Sequence, residues 1–178
     1  MKPHWLFSLL FFFFVISYLC LDKIFVPFGD EVFFTEPSLN EDLTTKLYPP
    51  HLKEISLMYG REWLLINRQI FKFWGYDLKK IRVQSLAFGT MAMGISCLTV
   101  KSLWPFVFYL LYFSLRGMYC GRPEMGIVFF IALSIYLITR GRYLMAGLAA
   151  GMCLFWHVPS GLAGICAISG LLLAYPQD

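Results

Sequence analysis

Apolar residues come in blocks along this chain, and the polar ones collect between the blocks. The stretch from Trp5 to Leu21, "WLFSLLFFFFVISYLCL", is almost unbroken, and further apolar runs occupy about 83–100, 103–119, 125–138, 143–158 and 161–175. Backbone polar groups surrounded by hydrocarbon must pair within their own segment, so runs of this kind are read as helices. A helix crossing ~30 Å of hydrocarbon takes ~20 residues, and several of these runs are slightly shorter. The pattern predicts an all-α polytopic membrane protein, a single membrane domain over 1–178 with about six transmembrane helices. The long polar interval, 22–80, then forms one loop between the first two spans. Inside it "YPPH" (Tyr48 to His51) interrupts regular structure, and two prolines suit the start of a helix after them. From 53 to 74, Ile55, Tyr59, Trp63, Ile66, Ile70 and Phe73 recur at helical spacing while Arg61, Arg68 and Lys72 take another face. This predicts an amphipathic helix lying on the membrane surface, roofing the bundle or contacting an anionic lipid headgroup.

Composition sharpens the picture. With 58% hydrophobic, 19% aromatic and 15% charged residues, a soluble domain of 178 residues could not hide its apolar surface. The net charge of +4 forms no basic stripe, which excludes a nucleic-acid partner. The start, "MKPHW", has a basic tip, and no small-x-small cleavage site follows the first run, so it reads as an uncleaved signal anchor. With Lys2 in the cytoplasm, the 22–80 loop lies outside, and Lys101 and the "RGR" at 140–142 fall inside, as the positive-inside rule prefers. Lys79, Lys80, Arg82 and Arg122 fall on the opposite side. A bacterial inner membrane is the simplest location.

Candidate chemistry is sparse. Cys20, Cys97, Cys120, Cys153 and Cys166 form no CxxC pair and read as small apolar fillers. The three histidines are scattered, so no metal cluster is predicted. Gly147 with Gly151, and Gly117 with Gly121, are small-xxx-small pairs that predict close helix packing. His157, which precedes Pro159, reads together with Trp156 most simply as an interfacial anchor. Asp30 and Glu31, in "PFGDEVFF", stand close after the first span with aromatics on both sides. Either they cap a loop that has just left the membrane, or they do chemistry there.

Several short patterns fall in one order: "GDE" after the first span, "YPPHL", then "FWGYDLKKIRVQSL" with Arg82 at the mouth of the second span. "GRPEMGIVFFIALSIYL" opens the fourth span, and "RGRYLMAGLAAGMCLFWHVPSGL" gives a basic turn, a Gly-rich span and a His-x-Pro exit. This order resembles the N-terminal part of the GT-C-type membrane glycosyltransferases, in particular the dolichyl-phosphate-mannose–protein mannosyltransferase-like group and its bacterial aminoarabinose-transferase relatives. The resemblance covers essentially this whole chain but only the first part of such an enzyme. It implies transfer of a sugar from a polyprenyl-phosphate donor, with no cofactor, and a downstream polypeptide supplying the missing spans.

In that family the acid of the first outer loop is the catalytic carboxylate, which corresponds here to Asp30. An inverting transfer needs a base for the acceptor's proton. Phe28, Phe33 and Phe34 would partly desolvate this carboxylate and make it a better proton acceptor. Glu31 shares that role or orients the acceptor. The phosphate leaves readily if its charge is matched, a task suited to Arg122 of "GRPE", with Lys79, Lys80 and Arg82 as further candidates. Against this, Arg122 can simply snorkel to the headgroups and Glu124 can complement a helix dipole. The resemblance also gives His157 a substrate-facing role. The alternative is a non-catalytic membrane protein acting as an assembly partner. A transporter is disfavoured, because its spans should carry ionisable or broken-helix features near mid-membrane.

Overall fold

The computed structural model describes residues 3–24, 38–39, 61–112 and 123–174. Within these it is all-helical, with no β-strand: α1 (Pro3–Ile24), α2 (Arg61–Trp74), α3 (Leu78–Val100), α4 (Trp104–Tyr112), α5 (Glu124–Ile138), α6 (Tyr143–Trp156) and α7 (Val158–Ala174). α1 and α3, of 22 and 23 residues, contain the two segments long and apolar enough to cross a membrane. α5, α6 and α7 match the predicted runs closely but have 15, 14 and 17 residues, or roughly 21–26 Å at 1.5 Å per residue. Among the described residues, two of the six predicted spans therefore reach crossing length as single helices; residues 113–119 of the predicted 103–119 span lie outside the described residues.

Local signals set the ends. Gly75 takes a left-handed φ of 77°, which turns the chain out of α2, and its N–H donates to Phe71 O at 2.8 Å. Asp77 then caps α3, its carboxylate accepting from the Lys79 N–H at 2.9 Å. α3 stops at Lys101 (φ 56°), and the α5–α6 turn uses Gly141 (φ 68°).

Contacts fix the helix directions. α1 and α3 are antiparallel, since Arg82 reaches Leu21 O and Gly94 meets Leu10. α3 and α5 run parallel, with Ile81 beside Ile127 in one cluster and Phe88 5.4 Å from Phe129. α5 and α6 are antiparallel: Ser134 Oγ donates to Ala146 O at 2.8 Å and Cys153 Sγ lies 3.9 Å from Ile127 O. α7 then folds back on α6. The bundle thus has one end formed by Leu21, Leu78, Glu124 and the α6–α7 junction, and an opposite end formed by Lys101 and residues 139–142.

α2 packs over the first end, but not on the face the sequence predicts. Trp63, Leu64, Asn67 and Phe71 are buried, while Ile66 and Phe73 are exposed. The apolar arc of α2 is about half the helix wide, and contact with Ile81, Ile127, Cys153 and Trp156 selects one edge of it. The stretch 53–60, where the helix was expected to begin, lies outside the described residues.

A second expectation also changes. Gly147 and Gly151 meet nothing within 4 Å, because α6 buries Ala146, Ala149, Ala150, Cys153 and Trp156 instead. The close approaches fall at Gly161, where a Cβ would sit 2.7 Å from the Cys153 carbonyl, and at Gly164, 2.8 Å from Ile131. Gly117 and Gly121 lie outside the described residues. Cys97 and Cys153 are buried fillers as expected, Cys20 is half-buried and Cys166 is exposed.

The bundle is apolar outside as well as inside. On α1, Trp5, Phe7, Phe11, Phe12, Ile16 and Leu19 are each at least 60% exposed. Leu144 and Leu148 on α6 and Leu173 on α7 continue this surface.

Candidate functional site

The predicted site residues that are described all belong to the end of the bundle under α2. Lys79, Lys80 and Arg82 lie in the first turns of α3, which begins five residues earlier than the apolar run suggested. Each has a partner. Arg82 is 5% exposed, and its Nη1 donates to Leu21 O at 3.4 Å, near the C-terminal end of α1. Lys80 Nζ donates to Trp74 O, the last carbonyl of α2, and to Gly75 O at 3.1 Å. Lys79 Nζ stands 4.8 Å above the Tyr18 ring. Helix C-termini carry partial negative charge and unpaired carbonyls, so cations are favoured there. Of the three described basic residues expected on the outer side, two thus serve helix ends, and the third faces an aromatic ring.

Glu124 is the first residue of α5, half-buried, with Pro123 in the cap position before it. A carboxylate there faces the positive end of the helix dipole. His157 is the single extended residue between α6 and α7 (φ −161°, ψ 110°). Its N–H donates to Cys153 O at 3.2 Å, and its carbonyl accepts from Gly161 at 2.8 Å. The ring Nδ1 accepts from the Ser160 N–H at 3.4 Å and lies 2.8 Å from Ser160 Oγ. His157 therefore ends one helix and caps the next. The interfacial-anchor reading fails for its neighbour. Trp156 is buried, edge-on to Phe88 and Phe130 at 5.4 and 5.3 Å.

The cluster of Trp63, Leu64, Phe71, Ile81, Ile127, Cys153 and Trp156 lies within about one helical turn of all these residues. It contains polar atoms that the sequence reading missed. Asn67 is fully buried on the Trp63–Phe71 stripe, and neither its amide oxygen nor its nitrogen has a hydrogen-bond partner. Trp156 Nε1 is also buried and unpaired, as is Gln84 Oε1, on the α3 stripe between Ile81 and Phe88. Leaving such groups unmatched costs about 1–3 kcal/mol each. α2 and α6 thus bring unpaired hydrogen-bonding atoms to one apolar layer beneath α2, and a further unpaired oxygen is buried on α3. A polar residue at the centre of an i, i+4, i+8 aromatic stripe was the available signal for Asn67.

Asp30, Glu31 and Arg122 lie outside the described residues. The structure thus gathers the elements carrying Lys79, Lys80, Arg82, Glu124 and His157 at one end. Comparison with known protein families, with curated proteins and with solved structures finds no match to this chain.

Proposed function

We propose that this chain is a membrane glycosyltransferase, or the N-terminal part of one. It moves a sugar from a polyprenyl-phosphate donor to an acceptor at the outer face of a membrane, a bacterial inner membrane in the simplest case. One observation carries the reading: cationic, acidic and imidazole side chains collect at a single end of the bundle, over a layer holding the unpaired Asn67 and Trp156 atoms. A hydroxyl-rich ligand is the chemistry that matches unpaired amide and indole groups. The exposed aromatic surface of α1 supports a lipid setting, since soluble surfaces do not carry apolar patches of that extent.

In this account the chain crosses the membrane about six times with its N-terminus in the cytoplasm. Asp30 takes the acceptor's proton as its oxygen attacks the anomeric carbon, and Glu31 orients that acceptor. Arg122 matches the charge of the departing phosphate, with Lys79 and Lys80 as further candidates and Arg82 buried against the end of α1. Glu124 and His157 border the sugar. The test is transfer from a panel of polyprenyl-phosphate sugars in membranes containing the chain. Asp30→Asn should lower turnover by at least ~10²-fold at normal expression. Turnover at the unsubstituted level would remove Asp30 as base.

A second reading, an assembly partner without chemistry, is favoured by the contacts of Arg82 and Lys80. Both are engaged at helix ends, as a purely structural bundle requires. Absence of transfer by the unsubstituted chain from every donor would favour it.

A further inference from the structure

Along another face of α2, bordered by Phe71 of the buried cluster, lies a second polar feature. A cleft of about 460 Å³ opens between α2, the helical pair Ser38–Leu39 and Tyr76. Arg68 and Lys72, one turn apart on α2, both line it, together with Gln69, Tyr76 and Ser38. No acid lines it among the described residues. Arg68 and Ser38 also make contacts within the chain, which helps hold the wall in place.

The neighbourhood narrows the ligand. Two cations with amide and hydroxyl groups suit a phosphate ester, which offers several acceptor oxygens. The cleft is far larger than a bare phosphate ion requires, and apolar side chains, Leu39 among them, share its lining. Elsewhere on the same helix Phe73 and Trp74 are 74% and 69% exposed and Ile66 39%. A helix that carries both a cationic cleft and exposed apolar side chains matches an amphiphile with an anionic headgroup and an apolar tail. We propose that this cleft binds the phosphate headgroup of an anionic phospholipid. It is a different site from the polar layer under the inner face of α2, and does not depend on the chain being a transferase.

The full chain is purified in detergent and offered equal amounts of phosphatidylglycerol and phosphatidylcholine, and bound lipid is read by native mass spectrometry. Phosphatidylglycerol should be retained in preference by on the order of tenfold. Arg68→Gln with Lys72→Gln should abolish the preference. Arg140→Gln with Arg142→Gln, at the opposite end of the bundle, should keep it. If the first pair fails to fold by circular dichroism, Arg68→Lys with Lys72→Arg serves instead, and should keep the preference. Absence of preference in the unsubstituted chain, its persistence in a folded double glutamine variant, or its loss in the folded Lys/Arg exchange would overturn the proposal. Displacement of the lipid by millimolar inorganic phosphate would also overturn it, by assigning the cleft to a soluble phosphate.

Discussion

Asn67 shows most sharply how a single residue can work against the fold. Its side chain is completely buried between Trp63 and Phe71, and both polar atoms go unmatched within the chain. Such an arrangement is unfavourable by about 1–3 kcal/mol, and an apolar side chain of similar size avoids that loss. Asn67→Leu is therefore expected to raise the thermal unfolding midpoint of the purified chain in detergent, while lowering any transfer activity. A fall in the midpoint would show that the amide is matched in solution and the layer is not a ligand site. Arg82 teaches the converse. In the sequence it is a cation at a span mouth, available to a phosphate. In the fold it is buried with its guanidinium directed at the end of α1. No local pattern carries that information, because the partner carbonyl lies 61 residues away.

At the scale of the elements, the hairpin of α6 and α7 depends on close backbone approach at Gly161. A methyl group there would fall 2.7 Å from the Cys153 carbonyl and 2.8 Å from Leu154 N, atoms that cannot rotate away. Gly161→Ala should destabilise the chain by about 1–3 kcal/mol. Gly147→Ala, whose Cβ meets nothing within 4 Å, should be close to neutral. Comparing the two unfolding midpoints checks this, and equal midpoints would contradict the helix contact described. The positions of α5 and α6 were legible in the sequence to within about two residues, since long apolar runs bounded by Pro123 and the 140–142 turn leave little choice. Which glycines touch was not legible. Gly147 and Gly151 have the expected spacing, but α6 turns its alanines inward. The same holds for α2, where a wide apolar arc admits two faces and only tertiary contact decides between them. α3 began earlier than its apolar run because Asp77 caps it, and because Lys80 and Arg82 find carbonyl partners inside the first turns.

For the whole molecule, everything proposed rests on one spatial division. The bundle has a polar end, bearing α2, the first turns of α3 and α5, and the α6–α7 junction. Its opposite end bears Lys101 and Arg140 to Arg142, joined to the first by helices whose outer surfaces are apolar. The account requires a membrane between those ends, with the polar end outside. The direct measurement is labelling of single cysteines in intact cells by a thiol reagent that cannot cross membranes, after the native cysteines are replaced. Tyr76 and Arg140 are both exposed, so either position can report. A cysteine at 76 should label in intact cells, and one at 140 only after permeabilisation. Labelling at 140 but not at 76 would place the polar end in the cytoplasm, and labelling at both would mean that no membrane separates them.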